Sequence, residues 1–388
     1  MNIRHSLIIP IHNGSHFIQL FWASLIRNLA EDQEIIVVDD GSTESIDLLV
    51  PKLPAEVKLL ILRNDRAQGY AAAVNRGLHQ ARGEYIYLLN TDLILGDGAL
   101  KLIHDYLKRD PRTGIVGAKL LYPQTGRIQH FGVAFTNTRK FHVYTHMSPE
   151  HSLVSKPGEF QAVTFALCGF CREILDRVGY LDTMYCNGCE DIDFSLRVHK
   201  AGYRLVVPPE IASYHWESLS GEARHIMALE NEVRFWRTWA TEIVADIDIF
   251  VGRGLSHFLD NAPEFRDRDF TVVNLSTGND YLHIRNVIDA QFHKSATFDF
   301  WDYPRAKRMD NSIWLPMTLP IDAIRTPKPF LFIVQEYPQL MQNDYWFEQR
   351  KRYSTSDLII DHYGNVEMTS GAVSASLPAR QKAMLDVS

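Results

Sequence analysis

Asn90-Thr91-Asp92 follows the apolar run Tyr85-Ile86-Tyr87-Leu88-Leu89, so an amide and a carboxylate two positions apart stand at the end of a buried strand. Oxygen ligands in such a place suit a hard divalent cation, Mg²⁺ or Mn²⁺. Asp39 and Asp40 end a second apolar run and lead into Gly41-Ser42. Their carboxylates can accept from the N–H or hydroxyl groups of a ligand, or serve turn and cap chemistry instead. Glu190-Asp191 opens a helical pattern. A carboxylate there can take a proton from a hydroxyl, although acids also suit a helix N-terminus without any catalysis. His215 follows the strand-like segment Ile211–Tyr214, where an imidazole can join a metal shell or play a structural part.

Positioning these groups requires a regular scaffold, and the N-terminal half supplies one. Ser6–Ile11, Glu34–Val38, Val57–Leu62 and Glu84–Leu89 read as buried strands. Between them Ser15–Asn28 has helical spacing at Phe17, Phe21 and Leu25, and Gly69–Ala81 is an alanine-rich helix; Asp97–Lys108 follows as a helix stopped by Asp110-Pro111. Strand and helix alternating through short joints predict an α/β fold: a mostly parallel, Rossmann-like sheet with helices on both faces. Ligands of such sheets bind beyond the carboxyl ends of the strands. His12-Asn13, Asp39-Asp40 and Asn90-Thr91-Asp92 are therefore expected along one edge.

From Gly114 to Phe170 the strands shorten, as in Ile115–Leu121 and Gln129–Phe135, and the polar, histidine-rich stretch Lys140–Gly158 reads as a loop able to move. Arg172–Val178 and Glu190–Ala201 are helical, Tyr203–Val207 is strand-like, and Glu222–Ile243 is a longer helix. Beyond Gly254 the texture changes. Asn261–Asp269 is charged and linker-like, and Phe270–Leu275, Pro329–Val334 and Asp357–Ile360 look like strands of a smaller α/β or α+β accessory domain. The expected division is 1–254, 255–368 and a flexible tail over 369–388. The accessory domain offers a surface for acceptor recognition or self-association into a homo-oligomer.

A chain of 388 residues with 46% hydrophobic and 22% charged residues can bury a large core. A net charge of −7 argues against nucleic acid as a partner. No apolar run approaches the ~20 residues that span a bilayer, and Met1–His5 carries no signal-peptide pattern. The expectation is a cytoplasmic protein. Trp236 and Trp239 with Arg224, Arg234 and Arg237 on the long helix could add peripheral membrane contact. The four cysteines form two C-x-x-C pairs, Cys168/Cys171 and Cys186/Cys189. They could hold a structural Zn²⁺ or pack as small hydrophobes.

The ordered segments IIPIHNG (8–14), VVDDGST (37–43), RNDRAQGYAAAVNRGL (63–78), LLNTD (88–92), NGCEDIDFSLRVHKAGYRL (187–205) and HWESLSG (215–221) resemble family 2 glycosyltransferases, most closely their rhamnosyltransferase-like bacterial branch. The likeness covers about residues 5–245. It implies a GT-A fold, a nucleoside-diphosphate sugar donor (UDP-, dTDP- or GDP-linked), a glycan or lipid-linked glycan acceptor, and inversion by direct displacement. On that pattern Asp39 and Asp40, with Pro10 and His12, line the nucleotide pocket, and Gly69 and Asn75 belong to the donor-side helix. Asn90 and Asp92 occupy the outer positions of the D-x-D motif, Asp92 being its metal acid, and His215 joins the metal. Asp191, beside Glu190, is the base. Asn90 departs from the motif's name and removes one negative charge near the cation. The alternatives on the same fold are a non-catalytic sugar-nucleotide or glycan-binding scaffold, or a zinc-stabilised interaction protein.

Overall fold

A computed structural model describes residues 3–53, 57–216, 222–266, 271–274, 286–288, 290–291, 297–300, 330–334, 358–361 and 365–368. The chain divides into two compact units, Met1–Val244 and Ala245–Ser388. The expected boundary at 254 falls inside a helix, Ile247–Asn261, that the sequence pattern did not single out.

In the first unit the elements run β1 (His5–Ile11), α1 (Ser15–Ile26), β2 (Gln33–Asp39), α2 (Ile46–Leu49), β3 (Lys58–Arg63), α3 (Tyr70–Gln80), β4 (Tyr85–Leu89), β5 (Leu93–Ile94) and α4 (Ala99–Arg109). There follow β6 (Thr113–Gly117), β7 (Lys119–Leu121), β8 (Ile128–His130), β9 (Val133–Phe135), β10 (Lys140–His142), β11 (Gly158–Phe160) and β12 (Leu167–Cys171). The unit closes with α5 (Glu173–Val178), α6 (Glu190–Lys200), β13 (Arg204–Val207), β14 (Ala212–His215) and α7 (Glu222–Trp239).

Eight strands form the main sheet in the order β11-β13-β6-β12-β4-β1-β2-β3. β3, β2, β1 and β4 are mutually parallel, while β12 runs antiparallel between β4 and β6. The order 3-2-1-4 reverses at β1, which makes the carboxyl ends of β1 and β4 a topological switch point. Every residue of β2 and β4 is buried, as expected for strands covered on both faces. Leu7, Ile9, Ile11, Ile35, Val37, Tyr87 and Leu89 fill one face of that core with Phe21, Leu25, Leu100 and Ile103 from the helices. A second sheet, β5-β14-β7-β8, lies beside the Asn90-Thr91-Asp92 turn, and β9 pairs with β10.

Two expectations about the middle of the unit need correction. Gln129–Phe135 is not one strand: Gly132, at φ +105°, separates β8 from β9. Lys140–Gly158 is not a free loop. Phe141, Val143, Tyr144, Thr145, Met147 and Val154 are buried in it, and Val143 N–H and His146 N–H donate to the carbonyls of Gly132 and Ile128. Its histidines disguised a segment that carries the apolar Phe141, Val143, Tyr144 and Met147 close together.

The second unit begins with α8 (Ile247–Asn261) and contains β15 (Thr271–Asn274), β16 (Thr297–Phe300), β17 (Phe330–Val334), β18 (Leu358–Asp361) and β19 (Val366–Met368). Its sheet order is β16-β15-β17-β18-β19, with only β19 antiparallel. Parallel pairing favours α/β over α+β among the two classes expected for it. The expected tail, 369–388, lies outside the described residues. Among the described residues no helix is long and apolar enough to cross a membrane.

Candidate active site

The parallel strands deliver their polar tips to one edge as the sequence pattern requires. Asp39, the last residue of β2, is fully buried. Its Oδ1 accepts from Ser42 N–H at 2.9 Å, which closes the turn. Its Oδ2 is buried without a hydrogen-bond donor and lies 3.2 Å from the Arg63 guanidinium. Asp39 therefore does both things its position allows: one oxygen builds the turn, and the other stays available beside a cation.

Asp40 is used differently. Its carboxylate accepts from Asn64 Nδ2 at 2.6 Å, from Gln68 N–H at 2.9 Å and from Gly69 N–H at 2.8 Å. It ties the β3–α3 connection to the end of β2 and is 5% exposed. His12 is exposed, and its Nδ1 lies 2.9 Å from the Asp40 carbonyl. Pro10 sits in β1 opposite Val38. Asn13, in the left-handed region at φ +55°, accepts through Oδ1 from Thr43 N–H, Thr43 Oγ1–H and Glu44 N–H. Gly41 at φ +71° allows a close approach, since a Cβ there would lie 2.5 Å from the Arg66 carbonyl carbon. Gly69 precedes α3 at φ +94°. Asn75 is not brought to this edge with a free amide: its Nδ2 donates to the Leu181 carbonyl at 2.8 Å and its Oδ1 accepts from Leu181 N–H at 3.0 Å.

Asp92 and His215 come together across 123 positions of chain, with Asp92 Oδ1 3.3 Å from His215 Nε2. The backbone enforces this: Leu93 of β5 pairs with His215 of β14, and Trp216 N–H donates to the Asp92 carbonyl at 3.0 Å. Asp92 Oδ1 is nonetheless buried without a hydrogen-bond donor, and so is Asn90 Oδ1. Buried oxygens without donors on Asn90 and Asp92, the latter beside an imidazole nitrogen, are group types that a hard divalent cation accepts. Among the described residues no group of three or more His, Cys, Asp or Glu side chains could hold a metal ion. A cation held by Asp92, His215 and the amide of Asn90 would have to complete its shell from substrate phosphates and water, as Mg²⁺ commonly does.

Glu190 and Asp191 begin α6. Glu190 is buried and turns back to accept from Gly188 N–H at 2.5 Å. Asp191 is half-buried and accepts from its neighbour's N–H, that of Ile192, at 2.8 Å. The loop before them holds two non-glycine residues at positive φ, Asn187 (+53°) and Cys189 (+73°), a conformation that needs outside support. Asn231 on α7 provides it, accepting from Cys186 N–H at 3.1 Å and donating to the Cys186 carbonyl at 2.8 Å. Asn187 Oδ1 in turn accepts from Tyr70 N–H at 2.9 Å, which ties this loop to the start of α3.

The Tyr70 phenol is buried near the start of α3. It donates to the Phe165 carbonyl at 3.2 Å. Burial holds its proton far above the ordinary range, and Cys168, Glu190, Asp191 and Asp92 add to that hold.

Two expectations fail here. Cys168 and Cys171 stand three apart on β12 and so face opposite sides of the sheet; the four cysteines cannot share one zinc. All four are free thiols, and burial pushes Cys171 up to about 11 and Cys189 up to about 12. Cys168 and Cys189 are buried, and Cys171 packs at the edge of the core, as small hydrophobes. The aromatic residues of α7 also turn inward. Phe235 is fully buried, Trp239 is 5% exposed and donates to Asp193 Oδ1 at 2.9 Å, and Trp236 donates to Glu232. Phe235 and Trp239 are thus spent inside the unit rather than on an exposed aromatic face.

Sequence reasoning passed over Arg63, Asn187, Asn231 and Gln129. The first two lie inside quoted motifs, RNDRAQG and NGCED, and could have been drawn from them. Asn231 and Gln129 carry no local signal.

The profile described as glycosyl transferase family 2 matches residues 6–179. An uncharacterized protein of Sinorhizobium fredii, y4gI, is 32% identical over 259 residues, covering 62% of this chain and 28% of that protein. The O-antigen biosynthesis protein RfbC of Myxococcus xanthus is 27% identical over 244 residues, covering 61% of this chain and 19% of its own length. The matched region thus spans under a third of either relative. Among solved structures, GalNAc-T7 with UDP, GalNAc and Mn²⁺ superposes with a TM-score of 0.50 at 17% identity, over 68% of this chain and 54% of that one. That likeness concerns the fold.

Proposed function

We propose, from the match of residues 6–179 to glycosyl transferase family 2, that the chain is a member of that family and that its N-terminal unit moves a sugar from a nucleoside diphosphate to a hydroxyl with inversion at the anomeric carbon. The observation that carries this reading is the Asp92–His215 pair, 3.3 Å apart, whose buried carboxylate oxygen lacks a donor. A divalent cation held by Asp92, His215 and Asn90 would neutralise the diphosphate leaving group. Asp39 Oδ2, buried and without a donor, accepts from the base or ribose. Asp191 takes the proton of the attacking hydroxyl. Glu190 holds the preceding turn through Gly188 N–H. The name of the Myxococcus relative supports a saccharide acceptor in cell-envelope polysaccharide assembly.

The test is release of nucleoside diphosphate from UDP-, dTDP- and GDP-sugars, with and without Mn²⁺. Release by the unaltered chain should depend on the metal, and Asp92→Ala should lower it about 10³-fold, the equivalent of a few kcal/mol of charge stabilisation. Equal turnover by Asp92→Ala would remove the carboxylate from the reaction.

A further inference from the structure

Gln129 is 5% exposed, and both ends of its amide are spent on one residue. Its Nε2 lies 3.1 Å from the His215 carbonyl oxygen, and its Oε1 lies 2.7 Å from His215 Nδ1. A carbonyl oxygen only accepts, so the amide nitrogen must face it. The amide oxygen then faces the ring, and an amide oxygen also only accepts. Nδ1 must therefore carry the proton. In the neutral ring this leaves the lone pair of His215 on Nε2, the nitrogen 3.3 Å from Asp92 Oδ1. Two acceptors then face each other, which accounts for Asp92 Oδ1 being close to a histidine and still without a donor.

The backbone at Gln129 has an irregularity at this place. β8 pairs with β7 as His130 opposite Leu120 and Ile128 opposite Leu121, so Gln129 is an extra residue with no opposite number. Such a bulge bends the strand and re-aims a side chain. Here the bulged residue reaches past the end of β7 to β14. The bulge is fixed from its other side: Ile128 N–H donates to the Met147 carbonyl, His146 N–H to the Ile128 carbonyl, and Thr145 Oγ1 donates to the Gln129 carbonyl at 3.1 Å. The buried 143–147 stretch thus serves as the back wall of a metal ligand.

We propose that Gln129 is a positioning residue that locks His215 in the Nδ1–H tautomer, so that Nε2 is presented with Asp92 Oδ1 to a divalent cation. The inference rests on the metal reading of Asp92 and His215. Outer partners of this kind fix both the tautomer and the orientation of a metal-bound imidazole.

The test uses the full chain and Mn²⁺ alone, with free Mn²⁺ followed by electron paramagnetic resonance. Gln129→Leu, which removes the acceptor, should weaken Mn²⁺ binding about 10–100-fold. Gln129→Glu restores an acceptor for Nδ1–H and should bind Mn²⁺ at least as tightly as the unaltered chain. Nitrogen NMR of ¹⁵N-histidine-labelled, metal-free protein, with His215 identified by its loss in His215→Ala, should show Nε2 unprotonated in the unaltered chain and the other tautomer gaining in Gln129→Leu. The NMR and Gln129→Glu arms keep the test decisive if Gln129→Leu folds poorly. Mn²⁺ binding that Asp92→Ala abolishes and Gln129→Leu leaves intact would overturn this inference alone, as would an Nε2–H tautomer in the unaltered protein. Failure of the unaltered chain to bind Mn²⁺, or tight binding by Asp92→Ala, would overturn the metal reading beneath it.

Discussion

The β1–β2–α3 corner and the corner around Asp92, His215 and Asp191 belong to one candidate site, yet they are held by different kinds of contact. In the first, Asn13, Asp39 and Asp40 accept mostly from backbone N–H groups of neighbouring turns, and the partners lie no more than 31 positions apart. In the second the partners are 86 apart for Gln129 and His215, 117 for Asn187 and Tyr70, and 45 for Asn231 and Cys186. The first corner can form as soon as three parallel strands align. The second exists only when β8, β14, α3, α6 and α7 have all arrived. The geometry of the proposed donor corner thus comes with the sheet, whereas that of the proposed metal and base corner depends on closure of the whole unit.

That contrast can be broken or sharpened by substitution. The largest effect is expected from Asp191→Asn: kcat should fall about 10²–10⁴-fold, the range for a lost general base, while the Kd for donor measured by calorimetry stays within about twofold. A proportionate loss of donor affinity would move Asp191 to the binding side. Asp40→Ala should be the most destabilising change at the first corner. It strips acceptors from Asn64, Gln68 and Gly69, and about 3 kcal/mol of stability should be lost in urea unfolding, since each orphaned buried donor costs about 1–3 kcal/mol and such losses do not add fully. Asn231→Ala should cost about 1–2 kcal/mol on the same argument. It should also lower kcat more than donor affinity, because the loop it clamps leads to Asp191. Equal effects on both would mean that the two corners are not independent. Lys101→Ala breaks an exposed i,i+4 pair with Asp105 far from either corner, and the change in unfolding midpoint should correspond to no more than about 0.5 kcal/mol.

Much of the first corner was legible because turn chemistry is local. Asp39-Asp40-Gly41-Ser42 announces a strand end and a turn, and the structure builds both. Apart from the two-residue β5, strand positions in the first hundred residues came out within a residue or two for the same reason: β2 and β4 are continuous apolar runs bounded by polar tips. The second unit's strands at 271–274, 330–334 and 358–361 also lie where their apolar runs predict. Legibility failed where a side chain's role is set by a distant partner. Asn75 has the type and position of a ligand residue, yet Leu181 occupies both ends of its amide. Lys140–Gly158 looked mobile because its surface residues are polar, although Phe141, Val143, Tyr144, Thr145, Met147 and Val154 are buried. Trp236 and Trp239 looked like a membrane face because the helical pattern does not say which side meets α6.

Composition, apolar periodicity and turn residues determined the parallel sheet, the edge on which the acids gather, and the types of group offered there, because these follow from backbone geometry within a few residues. Tertiary structure alone decided that Asp92 meets His215, that Gln129 dictates which imidazole nitrogen faces it, and that the cysteines never meet. Those outcomes depend on which strand ends become neighbours and on a one-residue bulge, and neither is written in any local stretch of the chain.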